Sequence, residues 1–240
     1  MRRFAQTDMG LARASNQDAA FVRALNGSEL LMVADGMGGP PAGHVASAFV
    51  VAAFEQMPSS DVPPEEAMRA AVDRSREAIE SDIVEHPERQ GMGSTVAAAV
   101  VEHGQAWIAN VGDSRVYLWR KGQLSQLSED HSVVAQGVRE GWVDPAMARI
   151  DPQRHMLTRV IGGQTTGEQS APFIDGPFEL DGQCALLMVT DGVSGVLEDE
   201  AIVGIVAAHR GAEIARQLIA SVHEAGAPDN IGIALLDERL

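Results

Sequence analysis

The sequence predicts an α+β fold in which antiparallel sheets are covered by helices. Two observations carry this. Strand-like segments come in groups separated by groups of helices, whereas a doubly wound parallel sheet would alternate them one for one. Three apolar runs of strand length each deliver an aspartate at one end: Leu30–Ala34 before Asp35-Gly36, Trp107–Val111 before Gly112-Asp113, and Ala185–Val189 before Thr190-Asp191-Gly192.

Arg3–Thr7 and Ala19–Leu25 read as short strands flanking the polar turn Arg13–Asp18, with Asn26-Gly27 as a hairpin turn into the next strand. That next strand is an uncharged run suited to burial on both faces, so Asp35 is carried to its end with a fixed direction. Gly36 then lets backbone approach whatever that carboxylate holds. Val45, Ala46, Phe49, Val50, Ala53 and Met57 recur at helical spacing. After a turn at Met57–Asp61, Pro63-Pro64-Glu65-Glu66 opens a second helix, with acids in its first turn and Ala67, Ala71, Ile79 and Ile83 along one side. Thr95–Val101, Trp107–Val111 and Arg115–Trp119, joined through turns at Gly104 and Gly112 and ending at Gly122, predict an antiparallel meander. Short helices at Ser132–Arg139 and Pro145–Ile150 lie in an irregular stretch reaching about Gly176, of a kind that is either a mobile lid or an excursion. Pro177–Leu180 and Ala185–Val189 return to strands, Asp199–Ala208 and Ala212–Val222 are amphipathic helices, and Ile231–Leu236 is the last strand.

At 240 residues and 45% hydrophobic content, the chain is expected to be one domain spanning 1–240. A formal charge of −16 argues against nucleic-acid backbones and anionic membranes as partners, because like charges repel over a Debye length of about 8 Å. Cys184, the single cysteine, sits in an apolar run and reads as a core thiol in a reducing compartment. The start of the chain lacks the apolar stretch of a signal peptide, and the longest apolar run, about Val45 to Phe54, is well short of the ~20 residues that span a membrane. A cytoplasmic protein without an appended anchor or sensor segment is the expectation.

Asp35, Asp113, Asp191 and Asp229 all stand at strand–turn junctions, and Asp18, ending the first turn, is a fifth candidate. Any one of them alone reads as a turn or cap residue. Were four carboxylates to meet within about 4–5 Å, each pair would repel by about 4 kcal/mol at an effective dielectric near 20, so the cluster demands cations. Oxygen ligands without thiolate or imidazole partners select Mg²⁺ or Mn²⁺ over zinc. Two such ions sharing a carboxylate and a bridging water would turn that water into a nucleophile and clamp a phosphoryl oxygen.

Arg13-x-x-Asn16-Gln17-Asp18, Asp35-Gly36-Met37-Gly38-Gly39, Gly91-Met92-Gly93-Ser94-Thr95, Asn110-Val111-Gly112-Asp113-Ser114-Arg115, Asp130-His131-Ser132, Leu157-Thr158-Arg159, Val189-Thr190-Asp191-Gly192 and Asp229-Asn230 together resemble the ordered motif series of the metal-dependent serine/threonine phosphatases of type 2C, in their bacterial form. The resemblance spans Asp8 to Leu236. It implies a four-layer αββα sandwich, two central antiparallel sheets flanked by helices, with a binuclear Mg²⁺/Mn²⁺ centre at one edge. Asp35 would bridge both ions, the Gly36 carbonyl would ligate one, and Asp191 and Asp229 would hold the other. Asp113, with Asp191, matches a third, weaker metal site, and Asp18 matches a position contacting metal-bound water. Arg13 matches the phosphate-binding arginine, whose planar fork suits phosphoryl oxygens; a surface ion pair is its plainer reading. Residues 131–176 correspond to a variable flap associated with substrate selectivity.

The chain also departs from the pattern. Met37 stands where eukaryotic relatives carry a histidine proposed as general acid, and Gln17 replaces an acidic residue. Pro40 and His44 differ from the usual bacterial run, and Gly232 takes a position often filled by threonine. The seven histidines show no zinc-site spacing, and His44 reads as exposed. Trp107, Trp119 and Tyr117 read as packing residues. No Gly-x-Ser-x-Gly elbow accompanies Ser94, Ser114 or Ser194, and no Walker or Gly-x-Gly-x-x-Gly pattern is present. The expected function is hydrolysis of phosphoserine and phosphothreonine in proteins by a metal-activated water, reversing a serine/threonine kinase, in a monomer. The alternative, motivated by Gln17 and Met37, is a weakly active adaptor that binds a phosphorylated partner.

Overall fold

In the computed structural model, which describes residues 2–25, 27–39, 42–58, 62–163 and 171–239, the buried strand at the centre of the fold shows why its middle, Leu30–Ala34, is apolar. Along it, Leu30, Met32 and Ala34 face a helical layer, while Leu31 and Val33 face a second sheet. The two-residue period of a strand sends alternate side chains to opposite cores, so none of these five positions is left for a charge, and Glu29 and Asp35 flank them.

The elements run β1 (Arg2–Asp8), β2 (Asp18–Leu25), β3 (Ser28–Met37), α1 (Ala42–Glu55), α2 (Pro64–Glu85), β4 (Gly93–Ser94), β5 (Val96–Glu102), β6 (Gln105–Val111), β7 (Arg115–Arg120), β8 (Gln123–Gln126), α3 (Val133–Glu140), a 3₁₀ turn (Pro145–Ile150), β9 (Ile161–Gly162), β10 (Phe173–Glu179), β11 (Cys184–Val189), α4 (Asp191–Ser194), α5 (Asp199–Ala208), α6 (Ala212–Glu224) and β12 (Ile231–Asp237). One sheet has the order β1-β12-β11-β7-β8, the other β10-β6-β5-β3-β4-β9 with β2 on β3, and every pairing is antiparallel. Helices α1 and α2 cover the second sheet through Phe54, Met68 and Ile79. Ile202 of α5 and Leu218 of α6 pack on the first sheet through Leu187, Ile233 and Leu235. Between the sheets, Leu31, Val33, Ile108, Leu186, Met188 and Leu236 form the central core, completing four layers. Buried side chains of this size contribute about 1.5–3 kcal/mol each.

Several sequence expectations need correction. The meander stops at β6: β7 pairs with β8 and β11, not with β6, so Gly112–Ser114 carries the chain from one sheet to the other. A glycine turn looks the same in sequence whether the next strand returns or crosses. Asp35 is not the end of its strand, since β3 continues through Gly36 and Met37 to pair with β4. The irregular stretch is shorter than expected, because Phe173–Glu179 already belongs to a sheet. Asn26, Pro40, the end of the 57–61 turn and 164–170 of the flap lie outside the described residues. Cys184 is a buried free thiol, burial being the first cause that pushes it up to about 12.

Candidate metal centre

Five aspartates from separate parts of the chain stand close enough to act on one another's charge. Asp18 and Asp35 are direct cross-strand partners on β2 and β3. Asp113 stands in the crossing between the sheets, Asp191 begins α4, and Asp229 precedes β12. Gly192 explains how the last two meet: a Cβ there would lie 1.8 Å from the Asn230 carbonyl oxygen, so α4 rests directly on the Asp229-Asn230 backbone. Gly36 is likewise wedged, its missing Cβ only 1.9 Å from the Gly43 carbonyl oxygen. The close approach expected at Gly36 is therefore, in the first place, to the chain's own backbone.

Hydrogen bonds fix the frame. The Asp35 N–H donates to Thr95 Oγ1 at 3.0 Å, and Thr95 N–H returns a bond to the Asp35 carbonyl at 2.9 Å. Thr190 Oγ1 donates to Asp18 Oδ2 at 2.7 Å and accepts from Gly232 N–H at 2.8 Å. A side chain at 232 would crowd Thr190, its Cβ 2.9 Å from the threonine methyl, which fits the departure to glycine there. Asn230 is the organiser that sequence reasoning gave no task. Its Nδ2 donates to the carbonyls of Met9 (2.8 Å) and Ser15 (3.0 Å), and its Oδ1 accepts from Gln17 N–H (2.9 Å). These bonds shape the loop that presents Arg13. Arg13 Nη2 donates to Asp229 Oδ2 at 2.7 Å, so the ion pair weighed as its plainer reading exists, with a site carboxylate as partner.

Around Asp113, Asn110 Nδ2 donates to the carbonyls of Gly112 and Glu129, and Arg115 forks onto Asp130 at 2.7–3.1 Å. Buried His131 takes the Gly112 N–H on Nδ1 at 3.2 Å and meets Arg159 Nη1 at 3.3 Å on Nε2. Burial first, then Arg159 and Arg139, pull its pKa down to about 4.

The carboxylates sit deep among protein atoms while solvent reaches them from the open side of the cleft. Burial, then Asp191 and Asp229, push Asp18 up to about 7 against the opposing Thr190 bond. Asp35 is raised well above the carboxylate range by burial and by Asp18, Asp191, Asp113 and Asp229. Asp113 is raised by burial, Asp191 and Asp130, and Asp191 by burial and Asp229, with His155 and Arg13 opposing. Among the described residues, however, no three acidic, histidine or cysteine side chains close into a ready-made ion cage. The arrangement is compact but not a closed cage: the Asp35 carboxyl is in side-chain hydrogen-bond contact with Asp18 and Asp191, while Asp229 turns to Arg13 and Asp18 also accepts from Thr190. The donor chemistry nonetheless fits a hard divalent cation, since all five groups are carboxylates whose excess negative charge a cation offsets. Gln17 Nε2 is buried without a hydrogen-bond partner beside Gly43. Met37 and His44 are exposed.

Residues 2–231 match the family Protein phosphatase 2C. The chain belongs to that family. This protein phosphatase 2C chain is 34% identical over 240 residues to the serine/threonine protein phosphatase PstP of Mycobacterium tuberculosis, covering 99% of the chain and 45% of the relative. It is 30% identical over 243 residues to the serine/threonine phosphatase stp of Listeria monocytogenes, covering 98% and 95%. It therefore spans about half of PstP and nearly all of the Listeria protein. The crystal structure of Mycobacterium tuberculosis PstP superposes with a TM-score of 0.89 at 33% identity, covering 98% of this chain and 97% of that one. A structure of the PstP catalytic domain in complex with two manganese ions gives a TM-score of 0.86 at 32% identity, with 98% and 97% covered. The four-layer αββα arrangement of this protein phosphatase 2C chain is the architecture of those structures.

Proposed function

We propose that this chain is a metal-dependent phosphoprotein phosphatase acting on phosphoserine and phosphothreonine, and that residues 1–240 form one catalytic domain. The observation that carries this is the meeting of five aspartates from separate parts of the chain, with Arg13 bound to one of them, in a chain of the protein phosphatase 2C family. Asp35, the Gly36 carbonyl, Asp191 and Asp229 would hold two Mg²⁺ or Mn²⁺ ions, Asp113 with Asp191 a third, and Asp18 would act through water. Bound there, the ions would offset the carboxylate charge and lower the pKa of the attacking water.

The chain's own residues do the rest. Arg13 has donors beyond the one given to Asp229 and orients the phosphoryl oxygens as a fork. Asp229 and the loop bonds of Asn230 hold that guanidinium over the cleft. The Met37 thioether cannot give a proton, so the leaving serine or threonine oxygen takes one from solvent or from another group of the cleft. The adaptor alternative is not favoured, since Asp18, Asp35, Asp113, Asp191 and Asp229, the carboxylates proposed to hold the ions or their water, are all present. Partners on this reading are phosphoproteins and the kinase that makes them, met by a monomer in the cytoplasm. No helix among the described residues is long and apolar enough to cross a membrane.

The deciding experiment is hydrolysis of an aryl phosphate and a phosphothreonine peptide with Mn²⁺, with and without chelator. Activity is expected only with metal and is expected to fall by at least 10²-fold in Asp191→Ala; metal-independent turnover, or an unimpaired variant, refutes the reading.

A further inference from the structure

We propose that the cavity beside the metal centre is a subsite for an acidic side chain flanking the phosphorylated residue, and that Arg154 receives its carboxylate. This rests on the phosphatase reading above and names which phosphoprotein segments that site prefers.

The cavity holds about 530 Å³ and runs between the candidate ligands Asp113 and Asp191 on one side and the 132–155 segment on the other. A substrate chain whose phosphate lies among the aspartates therefore has its neighbouring residues next to this wall. The wall carries four arginines, and among the described residues three of them have acidic partners. Arg115 is held by Asp130 at 2.7 Å, Arg139 by Glu129 at 3.2 Å, and Arg149 by Glu198 at 2.8 Å. The His155 ring stands 3.9 Å from Asp191. Arg154 has only a 3.4 Å bond to the carbonyl of nearby Asp151 and, among the described residues, no carboxylate partner.

In a chain of formal charge −16, an arginine on a cavity wall without an acid beside it is out of balance. Its exposed guanidinium keeps most of its donors for an incoming carboxylate, which can be taken by two parallel bonds. The same segment exposes Met147, Ile150 and Met156, apolar surface that suits a peptide better than a free anion.

The test uses paired phosphothreonine peptides that differ only in carrying Glu or Gln within two residues of the phosphorylated position. They are assayed with Mn²⁺ on the wild-type chain and on Arg154→Ala, Arg154→Lys and Arg154→Glu. The acidic-to-neutral ratio of kcat/KM is expected to be about fivefold for the wild type, carried by KM, in line with one partly exposed ion pair. It falls to about one in Arg154→Ala, is partly kept in Arg154→Lys, and drops below one in Arg154→Glu. Calorimetric binding of the same peptides, with a non-hydrolysable phosphonate replacing the phosphate, is expected to give the same order. A wild-type ratio of one, or a ratio indifferent to Arg154→Ala and Arg154→Glu, overturns the subsite. Failure of the wild type to hydrolyse any substrate with Mn²⁺ overturns the phosphatase reading instead, and the binding ratio then still decides the subsite.

Discussion

Asn230 spends every polar atom of its side chain on the backbone of residues 9–17, which makes it the hinge pin of the Arg13 loop. Truncation to alanine leaves two carbonyls and one N–H without their partner, a cost of about 3 kcal/mol when such groups stay buried. Asn230→Ala is expected to lower the urea midpoint by that amount with an unchanged m-value, and to reduce phosphate affinity through Arg13. Asn230→Asp is expected to be at least as damaging, because a carboxylate oxygen then faces the carbonyls of Met9 and Ser15. His131 permits a pH test. Its folded pKa of about 4 lies below the ordinary histidine value of 6.5, so as pH falls through that window the unfolded chain takes up a proton that the folded chain refuses. Its contribution is present above pH 6.5 and is lost by about 2–3 kcal/mol on the way to pH 4. Denaturant titrations of wild type and His131→Asn at matched pH are expected to show the wild type losing ground to the variant on acidification; parallel curves would contradict a buried neutral imidazole.

At the level of elements, the flap is fastened to the helix that begins with Asp191. Arg149, on the 3₁₀ turn, donates to the carbonyls of Ser194 (3.1 Å) and Leu197 (3.3 Å) at the end of α4 and beyond, and pairs with Glu198. Arg149→Ala is expected to speed amide exchange in residues 145–150 by about tenfold, while the amides of α6 keep their protection. Equal protection of the flap in both proteins would show that other contacts hold it. Much of this architecture was legible beforehand. Strands β3 and β11 announce themselves because burial on two faces leaves no place for a charge, and the Asp-Gly pairs near their ends mark the cleft. What was not legible is what depends on pairing in space. The polar, exposed β8 and the two-residue β4 carry no periodic signal, and Gly112 reads as a hairpin although it bridges sheets. Asn230, His131 and Thr95 lie within the recognised motifs, yet their tasks follow only from partners 19 to 221 residues away.

For the whole molecule the decisive quantity is the sign of stability against pH, because the cleft concentrates negative charge in a chain already at −16. Without metal, Asp18 has a folded pKa of about 7 against an ordinary carboxylate value of 3.8, and Asp35, Asp113 and Asp191 are shifted the same way. Between about pH 7 and pH 4 the folded state therefore binds more protons than the unfolded one, and linkage makes stability rise as pH falls. His131 pulls in the opposite direction, but it is one group against several. With Mn²⁺ bound, the carboxylates are held ionised and protons become competitors for the ligands, so stability falls as pH falls. Thermal unfolding of the chelated protein is expected to give a higher Tm at pH 5.5 than at 7.5, and the Mn²⁺-saturated protein the reverse order. Neutralising one member is expected to act in the same sense: Asp113→Asn raises the metal-free Tm by about 2–4 °C, as about 1 kcal/mol does in a chain of this size, and weakens Mn²⁺ binding. If both forms lost stability alike on acidification, the five aspartates would not share one electrostatic field, and the site would have to be sought elsewhere.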